Sequence, residues 1–201
     1  MRLGLITDIH EHVDELRWAL DTLRRERVDQ FVCLGDVCED GAAIAETCAL
    51  LEEAGVIGVW GNHDYGICTG PLAEMEASFD PRAVAYMRSY RARLQIEDCA
   101  FSHIEPCLDP DSSMDLWSFP EVPPSPERLE RNWKGFAARR FFMGHVHTWF
   151  AVSSQGPLVW NGASPLSTAG DSRYLVIVAP VCQGQCALLD TQSGELRPFS
   201  R

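Results

Sequence analysis

Five of the chain's six histidines stand at the ends of short apolar runs, each beside another group that can donate electrons to a cation. Asp8-Ile9-His10 closes the first such run, Gly35-Asp36 the second and Gly61-Asn62-His63-Asp64 the third; Ser102-His103 and Gly144-His145-Val146-His147 follow later. A single histidine is usually solvated or structural. Five together with Asp and Asn and without Cys make a set of oxygen and imidazole donors, which suits borderline divalent ions such as Mn2+, Fe, Co, Ni or Zn and not a thiolate structural site. A carboxylate shared between two such ions makes a two-metal site a natural arrangement.

These residues have to be brought together by the elements around them. Leu3 to Thr7 predicts a strand, and Val13, Leu16, Leu20 and Leu23 recur at helical spacing. Phe31 to Leu34 predicts a second strand, about 42–54 a helix ending at Gly55, and Val56 to Trp60 a third strand. This β-α-β-α-β order implies parallel strands, right-handed crossovers and an α/β fold. The carboxyl ends of parallel strands share one edge, where open sheets bind ligands, so Asp8, His10, Asp36, Asn62 and His63 converge there.

Farther on, Ala83 to Arg93 reads as a helix and Ile96 to Ser102 as a strand pair or one bent strand. Residues 105–127 hold Pro106, Pro110, Pro120, Pro123, Pro124 and Pro126, which excludes a helix or central strand and leaves a surface linker or a loop over the site. Its Trp117 and Phe119 either stack on a nucleobase or other leaving group or pin the loop to the body. Phe150 to Val152, Leu158 to Trp160, Tyr174 to Ala179 and Cys186 to Leu189 read as strands, with Gly-containing turns predicting antiparallel hairpins.

A chain of 201 residues is expected to form one domain, 1–201, and 46% hydrophobic with 23% charged residues excludes overall disorder. With 17 Lys and Arg against 29 Asp and Glu, the net charge of −12 repels phosphate backbones and anionic lipid, so no nucleic-acid surface is expected. No signal-peptide pattern or membrane-length apolar run is present, making the cytoplasm the expected compartment. Eight cysteines without a CxxC pair read as reduced thiols. Nothing in the pattern selects an oligomeric state.

In their order and spacing, Asp8-x-His10, Gly35-Asp36, Gly61-Asn62-His63-Asp64, His103 and Gly144-His145-x-His147 resemble the five motif blocks of the calcineurin-like metallophosphoesterase family, particularly its small bacterial phosphodiesterase branch. The resemblance runs from residue 4 to about 179, where Asn161-Gly162-Ala163-Ser164 and Tyr174-Leu175-Val176-Ile177 are similar to a late turn and strand of that family. It implies a four-layer α/β/β/α sandwich of two mixed sheets flanked by helices. It implies two divalent metal ions, Mn2+ foremost, with a bridging hydroxide. Asp8, His10, Asp36 and His147 would hold one ion; Asn62, His103 and His145 would hold the other, with Asp36 shared. His63 would donate to the phosphate or leaving-group oxygen, and Asp64 would orient His63.

The chain departs from the family pattern at three places: Glu11-His12 replaces Gly-Asn after the first histidine, Ile104 replaces Gly after His103, and Asn161-Gly162 replaces Asn-Pro. Glu11 and His12 belong either to the first turn of the following helix or to the substrate rim. With Glu11, Asp109, Asp111 and Asp115 around a weakly positive floor, small phosphodiesters are the expected substrates. Phosphomonoesterase, phosphoprotein phosphatase and a non-catalytic scaffold of the same fold are the alternatives.

Overall fold

Alternation along strand β1, Arg2–Ile6, decides the layering. Leu3 and Leu5 turn towards a second sheet, joining Val32, Leu34, Phe101, Phe142, Val176 and Leu189 in one apolar layer. Ile6 turns the other way, onto Leu16, Leu20, Leu23 and Leu51. A strand buried on both faces reads as a continuous apolar run, which is why Leu3 to Thr7 lacks a polar alternation.

The computed structural model describes residues 1–201. β1, α1 (Val13–Arg25), β2 (Gln30–Cys33), α2 (Ile44–Glu53) and β3 (Ile57–Gly58) form the expected parallel unit. After it come α3 (Tyr65–Thr69), α4 (Leu72–Ser78), α5 (Pro81–Met87), the hairpin of β4 (Leu94–Ile96) with β5 (Cys99–Phe101), α6 (Ser113–Leu116) and α7 (Pro126–Lys134). Strands β6 (Arg140–Met143), β7 (Phe150–Ser153), β8 (Gly156–Pro157), β9 (Leu166–Ser167), β10 (Tyr174–Ile177), β11 (Gln185–Asp190) and β12 (Glu195–Ser200) complete the chain.

Two mixed six-stranded sheets result, ordered β3-β2-β1-β11-β12-β9 and β4-β5-β6-β10-β7-β8. Helices α1, α2 and α5 cover the first, while α7 covers the second through Leu129 and Trp133 against Phe141, Met143, Val152, Leu175 and Ile177. This is the expected four-layer α/β/β/α sandwich. β5, β6 and β10 run parallel to one another. No helix is long and apolar enough to cross a membrane.

Several elements differ from the sequence reading. Asp80 caps α5 by accepting from the amides of Arg82 and Ala83, with Pro81 in the first turn, and that helix stops at Met87. Residues 105–127 are not wholly irregular. Ser112 caps α6, and Pro126 opens α7 behind the Ser125 cap, a position where its missing N–H costs no hydrogen bond. Leu158 to Trp160 is not a strand, and Gln183-Gly184 ends a 3-10 turn that passes from one sheet to the other instead of closing a hairpin.

The segment between β5 and α7 is strapped at its base. Glu105, 2% exposed, accepts from Arg128 Nε at 2.9 Å and Nη2 at 2.6 Å, and from Asn132 Nδ2 at 2.6 Å. Leu116 is fully buried, Trp60 Nε1 donates to the Pro110 carbonyl at 2.8 Å and the Tyr65 hydroxyl donates to that of Asp111 at 2.7 Å. Arg128→Ala leaves a buried carboxylate without its cation, so urea unfolding is expected to show a loss of about 3 kcal/mol, with the partial exposure of Arg128 placing it at the low end for a broken buried pair.

Candidate metal centre

The carboxyl ends of β1, β2 and β3 in one sheet and of β5 and β6 in the other reach the same edge of the sandwich. There the structure brings together Asp8, His10, Asp36, Asn62, His63, His103, His145 and His147. Five of them hold left-handed backbone angles: Asp8 (φ 48°), His10 (46°), Asp36 (55°), His145 (72°) and His147 (55°). Asp and His tolerate this region better than most residues, yet such a concentration of strain is typical of a functional site. The turns also require close approach at two glycines. A Cβ on Gly61 would overlap Asp36 Oδ1, and one on Gly144 would overlap Thr7 Oγ1 and crowd Asp8 Oδ2.

Hydrogen bonds to the far side of two of the rings, His103 and His10, decide which of their nitrogens faces inward. His103 donates from Nδ1 to the Leu34 carbonyl at 2.8 Å, which leaves Nε2 without a proton in the neutral ring. That Nε2 lies 3.3 Å from Asp36 Oδ2, 3.1 Å from Asn62 Oδ1 and 3.2 Å from His145 Nδ1. His10 donates from Nδ1 to Glu39 Oε2 at 2.5 Å, and its Nε2 faces His147 Nε2 at 3.3 Å. His147 Nε2 is in turn 3.2 Å from Asp8 Oδ1. The other Asp8 oxygen accepts from the Thr7 hydroxyl at 2.6 Å, and the His145 amide donates to the same carboxylate.

With the rings neutral, lone pairs would meet lone pairs in two adjoining pockets, an arrangement that favours a cation, whether a proton or a metal ion. Two groups that could hold one are Asp8 with His10 and His147, and Asp36 with His103 and His145; His10, Asp36 and His63 make a third, overlapping combination. The donor set fits a divalent metal by its own chemistry, and the remaining ring nitrogens of His10 and His103 are oriented by a carboxylate and a carbonyl, as metal-binding imidazoles usually are.

The titration behaviour has the same cause. Burial alone would raise the Asp36 carboxyl, but attraction to His103 and hydrogen bonds from it and from the His63 amide hold it well below the ordinary carboxylate range. Burial opposes charge on His103 as well; the negative charge of Asp36 prevails and pushes its pKa up to about 9. His145 is pushed down to about 4, first by burial and then by repulsion from His103, and so stays neutral as a ligand must. The hydrogen bond to Asp8 raises His147.

Three expectations require correction. The Asp64 carboxylate makes no hydrogen bond to the His63 ring: it is fully buried and accepts from the amides of Val37, Cys38 and Gly61 at 2.9–3.0 Å, tying the second and third motif turns together. Burial, followed by repulsion from Asp36, pushes its pKa up to about 6. Glu11 is neither a rim charge nor part of α1. Its carboxylate accepts from the amides of Glu39, Gly41 and Ala43 at 2.9, 2.7 and 2.5 Å, and it therefore anchors the loop before α2. The acids of the proline-rich segment do not line the cleft either: Asp109 accepts from the Asp111 amide and Asp115 from that of Asp109.

The rim carboxylate is instead Glu39, whose Oε2 is 2.5 Å from His10 Nδ1 and 3.7 Å from His63 Nδ1. It belongs to Gly35-Asp36-Val37-Cys38-Glu39, and its position three residues beyond Asp36 in the same turn was the one signal that could have found it. His10, His12, Asp36, Glu39, Asn62, His63, Phe119, Val146 and Cys182 are among the residues lining an open cleft of about 480 Å³. The Phe119 ring stacks on His145 at 4.2 Å, and the Trp117 ring lies 5.3 Å from that of His63.

This fold and this donor set define a metal-dependent phosphoesterase. The sequence profile of the calcineurin-like phosphoesterase superfamily domain matches residues 1–183, and the chain belongs to that superfamily. It is 23% identical over 197 residues to an uncharacterised protein of Methanocaldococcus jannaschii, covering 87% of this chain and 73% of that one. A metallophosphoesterase from Sphaerobacter thermophilus superposes with a TM-score of 0.80 at 20% identity, over 100% of this chain and 87% of the other. A novel archaeal phosphodiesterase superposes at 0.58 and 16% identity, over the whole of both chains. The protein is accordingly a metal-binding hydrolase of the metallophosphoesterase class.

Saturating Mn2+, at about a hundred times its Kd, is expected to stabilise the protein by roughly 2.7 kcal/mol and to raise the thermal midpoint by about 5–10 °C. In Gly61→Ala the displaced Asp36 should remove most of that rise, read by calorimetric melts with and without chelator.

Proposed function

We propose that the protein is a two-metal hydrolase of small phosphodiesters. In this reading Asp8, His10, Asp36 and His147 hold one divalent ion and Asn62, His103 and His145, with Asp36 shared, hold the other; Mn2+ is the first choice, ahead of Fe, Zn, Ni and Co. The observation that carries it is the position of one buried oxygen, Asp36 Oδ2, 3.3 Å from His103 Nε2 and 3.8 Å from His10 Nε2, within reach of both clusters. When bound, such ions supply Lewis-acid polarisation of the phosphoryl oxygens and a nucleophile from water near neutral pH.

The side chains supply orientation and the proton. His63 lines the cleft with Nδ1 3.7 Å from Glu39 Oε2, and in this reading its Nε2 donates to the leaving-group oxygen. Asp64 holds the turn that presents both Asn62 and His63. Two divalent ions against Asp8, Asp36 and a hydroxide would leave about one positive charge with the Glu39 carboxylate beyond them at the rim, a balance closer to the single negative charge of a diester than to the pair carried by a monoester. The archaeal phosphodiesterase of similar fold supports the same substrate class. A cytoplasmic setting accords with eight free thiols, and the partner is the small phosphoester itself, without nucleic acid or membrane.

Asp36→Asn is expected to lower the content of both metals, whereas His63→Ala retains metal and loses about 10² to 10⁴ in turnover. Elemental analysis beside kinetics separates the two roles, and metal loss in His63→Ala equal to that in Asp36→Asn would make His63 a ligand. With Mn2+ loaded, kcat/KM for bis(4-nitrophenyl) phosphate should equal or exceed that for 4-nitrophenyl phosphate, and Glu39→Gln should shift the ratio towards the monoester. A wild-type preference for the monoester that Glu39→Gln leaves unchanged would refute the assignment to diesters.

A further inference from the structure

Trp117 and Phe119 are 54% and 65% exposed, an unusual position for two large rings that the segment does not need for anchorage. That anchorage comes from buried Leu116, from the hydrogen bonds of Trp60 and Tyr65 to the segment's carbonyls, from Arg93 Nη2 donating to those of Pro106 and Leu108, and from the Glu105 strap. Both rings nevertheless pack against residues of the site, Phe119 as part of the cleft lining and Trp117 beside the lining residue His63. Trp117 is tilted 49° against His63 at 5.3 Å, and Phe119 lies within 20° of parallel to His145 at 4.2 Å, so one face of Phe119 is covered and the other is open.

We propose that Trp117 and Phe119 form a stacking subsite for the nucleobase of a nucleotide phosphodiester, an inference that rests on the phosphodiesterase reading above. The cleft, at about 480 Å³, lies within the range of sites that enclose drug-sized molecules, and so has room beyond a phosphoryl group. Phe119, Val146 and Cys182 give it an apolar wall, while His12 and Glu39 make the rest of the rim polar. A planar group with apolar faces and polar edges matches that division, and an alkyl chain does not. Base stacking on aromatic side chains tolerates any base, because every base offers a π face. No carboxylate of the segment lines the cleft.

The test compares two ligands that differ only in the base. Calorimetric titration of the Mn2+-loaded protein with adenosine 5′-monophosphate and with ribose 5-phosphate is expected to give at least a tenfold (roughly) tighter Kd for the nucleotide. In Trp117→Ala and in Phe119→Ala the ratio of the two Kd values should fall towards unity, and Trp117→Phe should restore it. Equal wild-type affinities would overturn the subsite while diester hydrolysis, measured separately with bis(4-nitrophenyl) phosphate, leaves the phosphodiesterase reading standing. A retained advantage for the nucleotide in both alanine variants would likewise overturn it. A base advantage lost in the alanine variants of a protein that hydrolyses no diester would support the subsite and refute the phosphodiesterase reading instead.

Discussion

At the edge shared by the two sheets, acceptors outnumber donors, and Asp36 lies at the centre of that imbalance. The carboxylate is 2% exposed, receives the His63 amide, and lies 3.3 and 3.8 Å from Nε2 of His103 and His10, rings whose Nδ1 protons are committed elsewhere. Burying an anion this deeply is costly unless a positive charge arrives. Without metal, a proton on His103 supplies it, as the raised pKa of that ring shows; with metal, the same geometry offers lone pairs to the ion. The close glycines, left-handed turns and buried Asp64 are consistent with this requirement, since each allows or fixes the approach of one turn to another.

The sandwich supplies the rigidity that such an arrangement needs. Turns at strand ends can be strained only if the strands behind them cannot move, and β1, β2, β5 and β6 are held by apolar layers on both faces. Because the two sheets pack face to face, candidate ligands more than a hundred residues apart in sequence come within hydrogen-bond distance, as with Asp8 and His147 at 3.2 Å. The edge is therefore a property of both sheets at once.

Polar groups around the edge divide into those that build and those that face the cleft. Glu11, Asp64, Asp109 and Asp115 all end on backbone amides, where their charges are spent on shaping loops. Glu39 is different, since it touches a candidate ligand and lies near the candidate acid. Sequence gives these carboxylates the same appearance; only the position of a neighbouring amide distinguishes an anchor from a rim charge.

That distinction marks how far the chain could be read without coordinates. The parallel β-α-β-α-β opening was legible because its apolar runs and helical spacing are local patterns, and a resemblance of five ordered motif blocks implied the sandwich and the residues that meet at its edge. Local signals also present, the Ser125-Pro126 cap of α7 and the Asp80-Pro81 cap of α5, were outweighed by proline content and by an overlong apolar pattern. What tertiary structure alone decided was direction: that Glu11 turns away, that Asp64 serves three amides instead of His63, that Glu39 reaches His10, and that Trp117 and Phe119 stay exposed while Leu116 anchors their segment. The physical reason is that residue type and spacing specify which chemistry a side chain can do, whereas its partner depends on contacts between segments that are distant in the chain and become neighbours only when the two sheets close.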